Sequence, residues 1–290
     1  MTNVELWSYK KVSKMSRLLE DKNNLIRHIK RALYGRLRRK RIFPLGGVDW
    51  ETAAGVLLLL GSKPGATGPD GEPCVVFNKR SLKVRQPGDL CFPGGSIAPR
   101  IDPYLARLFS LPIASLGRWS HWAYWKKNRT REAKLMSIMW ATGLRESLEE
   151  MRLNPFGVTF LGPLPPQSLV MFKRTIYPMV GWIERQKRFF PNWEVEKVVP
   201  IPLKDLLNSN YYGRYRLRMD SNFSGERSSL IQDFPCFRVQ ANNRMEVLWG
   251  ATYRITVGFL ENIFDFNPPA LKTLPVVEGA LDKNYLKSNQ

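Results

Sequence analysis

Arg145-Glu146-Ser147-Leu148-Glu149-Glu150 decides how the rest of this chain reads. The six residues lie near the end of a stretch from about Thr130 to Leu153. There Leu135, Ile138, Met139, Leu144 and Leu148 recur at helical spacing and predict one long helix. On that helix Glu146, Glu149 and Glu150 stand three and four positions apart, so all three leave from one face. Carboxylates that close repel one another unless a cation lies among them. Hard divalent ions such as Mg²⁺ take carboxylate oxygens together with substrate phosphate oxygens. An exposed acidic face with an Arg145–Glu149 ion pair, worth about a few tenths of a kcal/mol, would leave the same letters. The choice between the two readings rests on what surrounds the helix.

Upstream lies Phe92-Pro93-Gly94-Gly95, the end of a short strand predicted over Asp89–Phe92. Paired glycines after a proline allow backbone conformations that other residues avoid, and they let main chain approach a phosphate or pass under a helix. Further strands are predicted over Ala54–Leu60, Cys74–Asn78, Gly157–Leu161, Ile176–Ile183 and Val195–Ile201. Leu203–Leu207 reads as a helical turn, Cys236–Val239 as part of the closing structure, and Val247–Phe264 as a helix. Gly61 to Gly71 is a turn-rich loop. Strands mixed with helices give a layered α/β or α+β domain.

Taken together, Phe92-Pro93-Gly94-Gly95 and Ala141-Thr142-Gly143-Leu144-Arg145-Glu146-Ser147-Leu148-Glu149-Glu150-Met151-Arg152-Leu153 resemble a Nudix box split by an insertion. Arg80-Ser81, Arg85 and Gly88 ahead of it resemble the extra signature of coenzyme A diphosphatases. Leu164-Pro165-Pro166, Glu194-Val195 with Val199-Pro200-Ile201-Pro202-Leu203, and Trp249-Gly250-Ala251-Thr252 continue the likeness in order, over roughly residues 50–265. There are departures. Gly95 and Arg145 are 50 positions apart, which implies more than 30 inserted residues. Either Asp102 or Ser137 takes the place of the box's first acid, Ser147 replaces an apolar residue, and Arg152 replaces a late glycine.

The resemblance implies an α/β/α sandwich with a mixed sheet, and metal-dependent hydrolysis of a diphosphate linkage. The substrate would be coenzyme A or an acyl-coenzyme A, cut to adenosine 3′,5′-bisphosphate and a 4′-phosphopantetheine. It implies Mg²⁺ or Mn²⁺ on Glu146, Glu149 and Glu150, with Arg145 orienting the carboxylates and Glu194 completing the shell or acting as base. Arg80 and Arg85, with the backbone of Gly94 and Gly95, would bind the substrate phosphates. Two alternatives stand beside this. One is hydrolysis of another nucleoside diphosphate derivative such as ADP-ribose or a dinucleotide. The other is a Nudix-type scaffold without turnover that binds anionic membrane or nucleic acid.

The net charge of +20 is unevenly spread. Residues 1–46 carry a net +10 and residues 103–134 a net +6. The division expected is a basic helical arm over 1–48, a catalytic domain over 49–267 with an aromatic and basic insertion at 103–134, and a loosely held polar tail over 268–290. In the arm, Ile26, Ile29, Leu33 and Leu37 form an apolar stripe, which suits docking on the body, a membrane surface or nucleic acid. In the insertion, Phe109, Trp119, Trp122, Tyr124 and Trp125 suit a membrane interface, a lid, or plain packing on the domain. Three scattered cysteines suggest no disulfide framework. Two histidines, His28 and His121, leave no histidine-rich zinc site, and His121 reads as structural. The longest aliphatic run, Gly55–Leu60, cannot span a bilayer. The expected location is cytoplasmic, at a membrane periphery or free. The Lys/Arg-rich start also resembles an organellar address, against which Glu5, Glu20 and Asp21 count.

Overall fold

The computed structural model describes residues 15–44, 47–63, 71–169, 173–219, 230–241, 244–281 and 285. Its middle layer is a mixed sheet around β1 (Ala53–Lys63). The other strands are β2 (Glu72–Arg80), β3 (Leu90–Cys91), β4 (Gly94–Ser96), β5 (Val158–Pro163), β6 (Gln167–Leu169), β7 (Arg174–Ile183) and β8 (Val195–Pro202). The order is β3-β2-β1-β7-β5, with β4 beside β1, β8 beside β2 and β6 beside β7. β1 runs parallel to β7 and antiparallel to β2 and β4.

β1 is covered on both faces, which its unbroken apolar run anticipates. Val56, Leu58 and Leu60 belong to one core, Ala53, Leu57 and Leu59 to the other. The second core is closed by the long helix of the glutamates. The helices are α1 (Lys22–Arg39), α2 (Asp102–Phe109), α3 (Trp122–Asn128), α4 (Thr130–Met151), α5 (Leu203–Leu206) and α6 (Gly250–Phe264). α2, α3 and α4 cover one face of the sheet; α1 and α6 cover the other. This is an α/β/α arrangement.

α1 docks as one of the layers. Asp21 caps it by accepting from the Asn24 amide. Leu25, Ile29, Leu33 and Leu37 are fully buried, four residues apart along one stripe. Burying four such side chains contributes on the order of 6–12 kcal/mol before chain entropy is subtracted. The expected stripe began at Ile26. That residue is only partly buried, and Leu25 takes its place.

The aromatic and basic segment 103–134 packs inward. Phe109, Trp119, Trp122 and Trp125 are buried, with Trp119 edge-on to Phe160. Tyr124 alone of the five aromatics is exposed. The indoles therefore join the core under α4, and they are not presented to a membrane interface or a nucleic acid. His121 stacks on Tyr34 of α1, which fits a structural histidine.

Two corrections concern the C-terminal third. Val247 and Leu248 end a strand, not begin a helix. They belong to β11 (Arg244–Leu248), and α6 starts only at Gly250, at φ +63°. With β9 (Tyr212–Met219), β10 (Leu230–Ala241) and β12 (Val276–Leu281), β11 makes a second sheet in the order β11-β10-β9-β12. The segment after Asn267 is thus not loose where it is described. β12 pairs in parallel with β9, and Leu281 and Tyr285 are buried. No described helix is long and apolar enough to cross a membrane.

Candidate active site

The C-terminal half of α4 meets the glycine turn. β4 pairs with the start of β1, Gly95 opposite Gly55 and Gly94 opposite Val56. Gly94 holds φ +145°, and a Cβ there would stand 2.4 Å from the Gly55 carbonyl oxygen. A Cβ on Gly95 would stand 2.6 Å from the Glu146 carboxyl carbon. The paired glycines therefore let backbone run directly beside the first glutamate.

Arg145 is the hub. Its Nε donates to Asp102 Oδ1 at 2.8 Å, its Nη1 to Glu146 Oε1 at 2.9 Å, and its Nη2 to the Ser96 carbonyl at 3.0 Å. Nη1 also reaches Glu149 at 3.4 Å. Asp102 is fully buried, and its Oδ2 accepts from Thr142 Oγ1 at 2.8 Å and from the Ala98 amide at 2.7 Å. Of the two candidates for the first acid, Asp102 stands at the hub. Ser137 spends its hydroxyl on the Lys134 carbonyl of its own helix. Ser147 is buried too, with its hydroxyl satisfied one turn back by the Gly143 carbonyl at 2.6 Å.

The three glutamates do not converge. Glu146 turns to Arg145 and Gly95, Glu149 is exposed, and Glu150 is buried and accepts from Asn78 Nδ2 at 2.8 Å. Among the described residues no three His, Cys, Asp or Glu side chains already form a metal cluster. The electrostatics are strained in a consistent direction. Burial raises the proton affinity of Glu146, which Arg145 partly offsets. Burial pushes Glu150 up to about 8, helped by the charges of Glu146 and Glu194, while Asn78 and Arg80 pull the other way. The Oδ1 of Asn78 is buried without a partner. The site therefore holds excess negative charge and a spare oxygen donor.

Glu194 is brought close by the end of α4. The Asn192 amide donates to the Glu150 carbonyl at 2.8 Å, and the Glu194 carbonyl accepts from the Ser81 amide at 2.8 Å. Arg152 ends the helix in the left-handed region, φ +56°, the conformation a glycine adopts without cost. Arg80, near Glu150, donates its Nε to the Arg85 carbonyl at 2.6 Å. Arg85 itself is exposed and contributes backbone, not its guanidinium, to this arrangement.

No sequence motif marks Asn78 or Thr142. Asn78 had a signal: it shares the strand parity of Cys74 and Val76, which face the α4 core. A polar residue at a core-facing position calls for a partner. The loop carrying Arg80 is held from behind. Trp249 Nε1 donates to Asp89 at 3.1 Å, and the Tyr285 hydroxyl also donates to Asp89. On the opposite face of the sheet lies a cavity of about 280 Å³, bordered by Arg36, Leu164, Pro165, Gln167 and Arg254.

No protein-family model matches the chain, and no curated protein is similar to it in sequence. Among solved structures it is similar to a MutT/nudix family protein from Enterococcus faecalis, with 11% identity, a TM-score of 0.40, and 84% of this chain and 75% of that one covered. It is also similar to a Nudix hydrolase, RenU, from M. smegmatis (14%, TM-score 0.35, 57% and 80% covered). A third is an Ap4A hydrolase from C. elegans in a binary complex (12%, TM-score 0.34, 54% and 83% covered). Likenesses this distant carry no argument about activity.

Proposed function

We propose that the chain is a Nudix-type hydrolase that cuts a diphosphate linkage with the help of a divalent cation, and that coenzyme A or an acyl-coenzyme A is its substrate. The observation that carries this reading is the Arg145 hub. One guanidinium joins the buried Asp102 to Glu146, directly beside the Gly94-Gly95 turn.

The residues fit a hard ion, Mg²⁺ or Mn²⁺, by their donor chemistry. All are oxygen donors, and Glu150 gains a proton affinity of about 8 from burial and negative neighbours, a cost that a positive charge relieves. Glu146, Glu149 and Glu150 would hold it. Bound there, such an ion supplies neutralisation of phosphate oxygens and a more acidic water. The chain's own groups divide the remaining work. Asp102 fixes Arg145, and Arg145 fixes the direction of Glu146. Asn78 holds Glu150, and Glu194, whose charge Glu150 feels, would complete the shell or accept the proton of the attacking water. Arg80 binds phosphate, since a guanidinium matches phosphate oxygens in pairs.

Turnover of coenzyme A, acyl-coenzyme A, ADP-ribose and dinucleoside polyphosphates with Mg²⁺ or Mn²⁺ tests the reading. Release of adenosine 3′,5′-bisphosphate from coenzyme A is expected, and its loss in Glu149→Gln/Glu150→Gln. Turnover of ADP-ribose or dinucleotides alone would overturn the substrate, and no turnover of any of them would overturn the hydrolase.

A further inference from the structure

α2 buries one face and leaves the other uncovered. Asp102, Ala106 and Phe109 point into the core. Tyr104 and Leu108 share the other side of the helix four positions apart, and Ile101 and Leu111 stand just before and just after it. All four are exposed, Tyr104 to 68%, and Ile113 just beyond them is 83% exposed. Single exposed apolar residues need no explanation, but five lie within 13 positions along and just beyond α2, and clusters of exposed apolar residues mark interaction surfaces.

Charge says what kind of surface this cluster meets. Arg100 and Arg107, both exposed, flank the cluster, and the Arg107 guanidinium lies over the Tyr104 ring at 5.9 Å. From Pro103 to Arg131 the sequence holds no Asp or Glu. An apolar cluster edged by arginines matches a layer that is apolar within and negative at its rim. A second copy of the chain fits poorly, because a two-fold contact through this cluster would bring arginines toward arginines without an acid between them.

We propose that α2 and the turn after it dock on an anionic lipid surface. The cluster enters the boundary between headgroups and acyl chains, and Arg100 and Arg107 meet lipid phosphates. These are not the tryptophans whose composition first suggested an interface; those are buried. Ile101 adjoins Asp102 in sequence, so the docking surface and the carboxylate that holds Arg145 lie on opposite faces of the same short helix. The proposal goes beyond the hydrolase reading and stands without it.

Flotation of the full chain with phosphatidylcholine vesicles, with and without phosphatidylserine, tests it. Binding is expected only with phosphatidylserine and should weaken as salt is raised. Arg107→Gln should lower the partition coefficient roughly fivefold. Leu108→Ser/Leu111→Ser/Ile113→Ser should lower it roughly tenfold or more, with an unchanged melting temperature because these side chains are exposed. Three results would overturn it: no binding of the wild type to phosphatidylserine vesicles, equal binding to neutral ones, or full binding by the triple variant. A stable dimer that the triple variant dissolves would assign the cluster to a second copy and overturn it equally.

Discussion

Asp102→Asn is the sharpest test of the hub. The carboxylate accepts four hydrogen bonds, two from Arg145 (2.8 and 3.3 Å), one from Thr142 (2.8 Å) and one from the Ala98 amide (2.7 Å). Asparagine keeps the shape but offers one oxygen and one NH₂. If the oxygen serves Ala98 and Thr142, the NH₂ faces the Arg145 guanidinium donor to donor. If it serves Arg145, the NH₂ faces an amide and a hydroxyl. Either way the guanidinium loses its fully buried anion and keeps only Glu146 and Glu149. Breaking a buried pair outright costs about 3–5 kcal/mol, and losing a hydrogen bond to a charged group about 1.5–3. With the shape retained, about 3 kcal/mol is expected, which lowers the melting temperature by roughly 6–12 °C in a chain of this size. Arg145 would then release Glu146 from its place beside Gly95. A displacement of about 1 Å in such a group lowers kcat on the order of 10²-fold, with KM little changed. Calorimetry and initial-rate kinetics on the purified variant read both effects. A variant that melts and turns over like the wild type would refute Asp102 as the carboxylate that sets the hub.

Other expectations follow from single contacts. Gly95→Ala places a methyl against the Glu146 carboxylate, the free end of a side chain, so activity should fall about 10²-fold with little change in melting. Gly55→Ala instead meets the Met139 carbonyl oxygen at 2.5 Å, and the cost should appear as about 1–3 kcal/mol of stability in denaturant titration. Arg152→Gly relieves a left-handed residue at the end of α4 and should stabilise the chain by about 1 kcal/mol; an unchanged midpoint would count against strain there. Burial raises the proton affinity of Asp89, while Tyr285 and Trp249 partly offset it. A raised folded value favours the protonated form. The stability it contributes is therefore full below the ordinary carboxyl range near about 4 and is lost as pH rises through the raised value. Asp89→Asn should accordingly gain on the wild type with increasing pH, and a constant gap in melting temperature would contradict the burial argument.

What sequence made legible was local. The glutamate face needs only helical spacing, and β1 needs only its run of Val56 to Leu60 between turns. The second sheet is different in kind. In β9, Arg214, Arg216 and Arg218 alternate with Tyr215 and Leu217, a period of two that the charges obscure because Arg216 is neutralised by Asp233 on β10. Its partner β12 comes from about sixty residues further on, Val276 opposite Arg214. Pairing over that separation leaves no trace in a local window. Tyr285 is illegible in sequence for the same reason: its importance lies in Asp89, almost two hundred positions earlier.

The hub joins residues that stand far apart in sequence. The hub needs Asp102, Arg145 and Glu146 together, but it does not need Asp102 on the helix of the other two. Asp102 stands at the start of α2, where its carboxylate also caps the turn by accepting from Ala98, four residues back. α2 then packs on α4, and Thr142 of α4 donates to the same carboxylate. The acid is therefore fixed at both ends by contacts that do not pass through the intervening chain. Loop-closure entropy rises only slowly with length, by about 0.6 kcal/mol per doubling. Burying Phe109, Trp119, Trp122 and Trp125 can offset that several times over. On this account residues 103–134 act as structure first. Replacing buried Trp119 by alanine should cost stability, about 3–5 kcal/mol, before it costs substrate affinity. A segment acting only as a lid would show the reverse order.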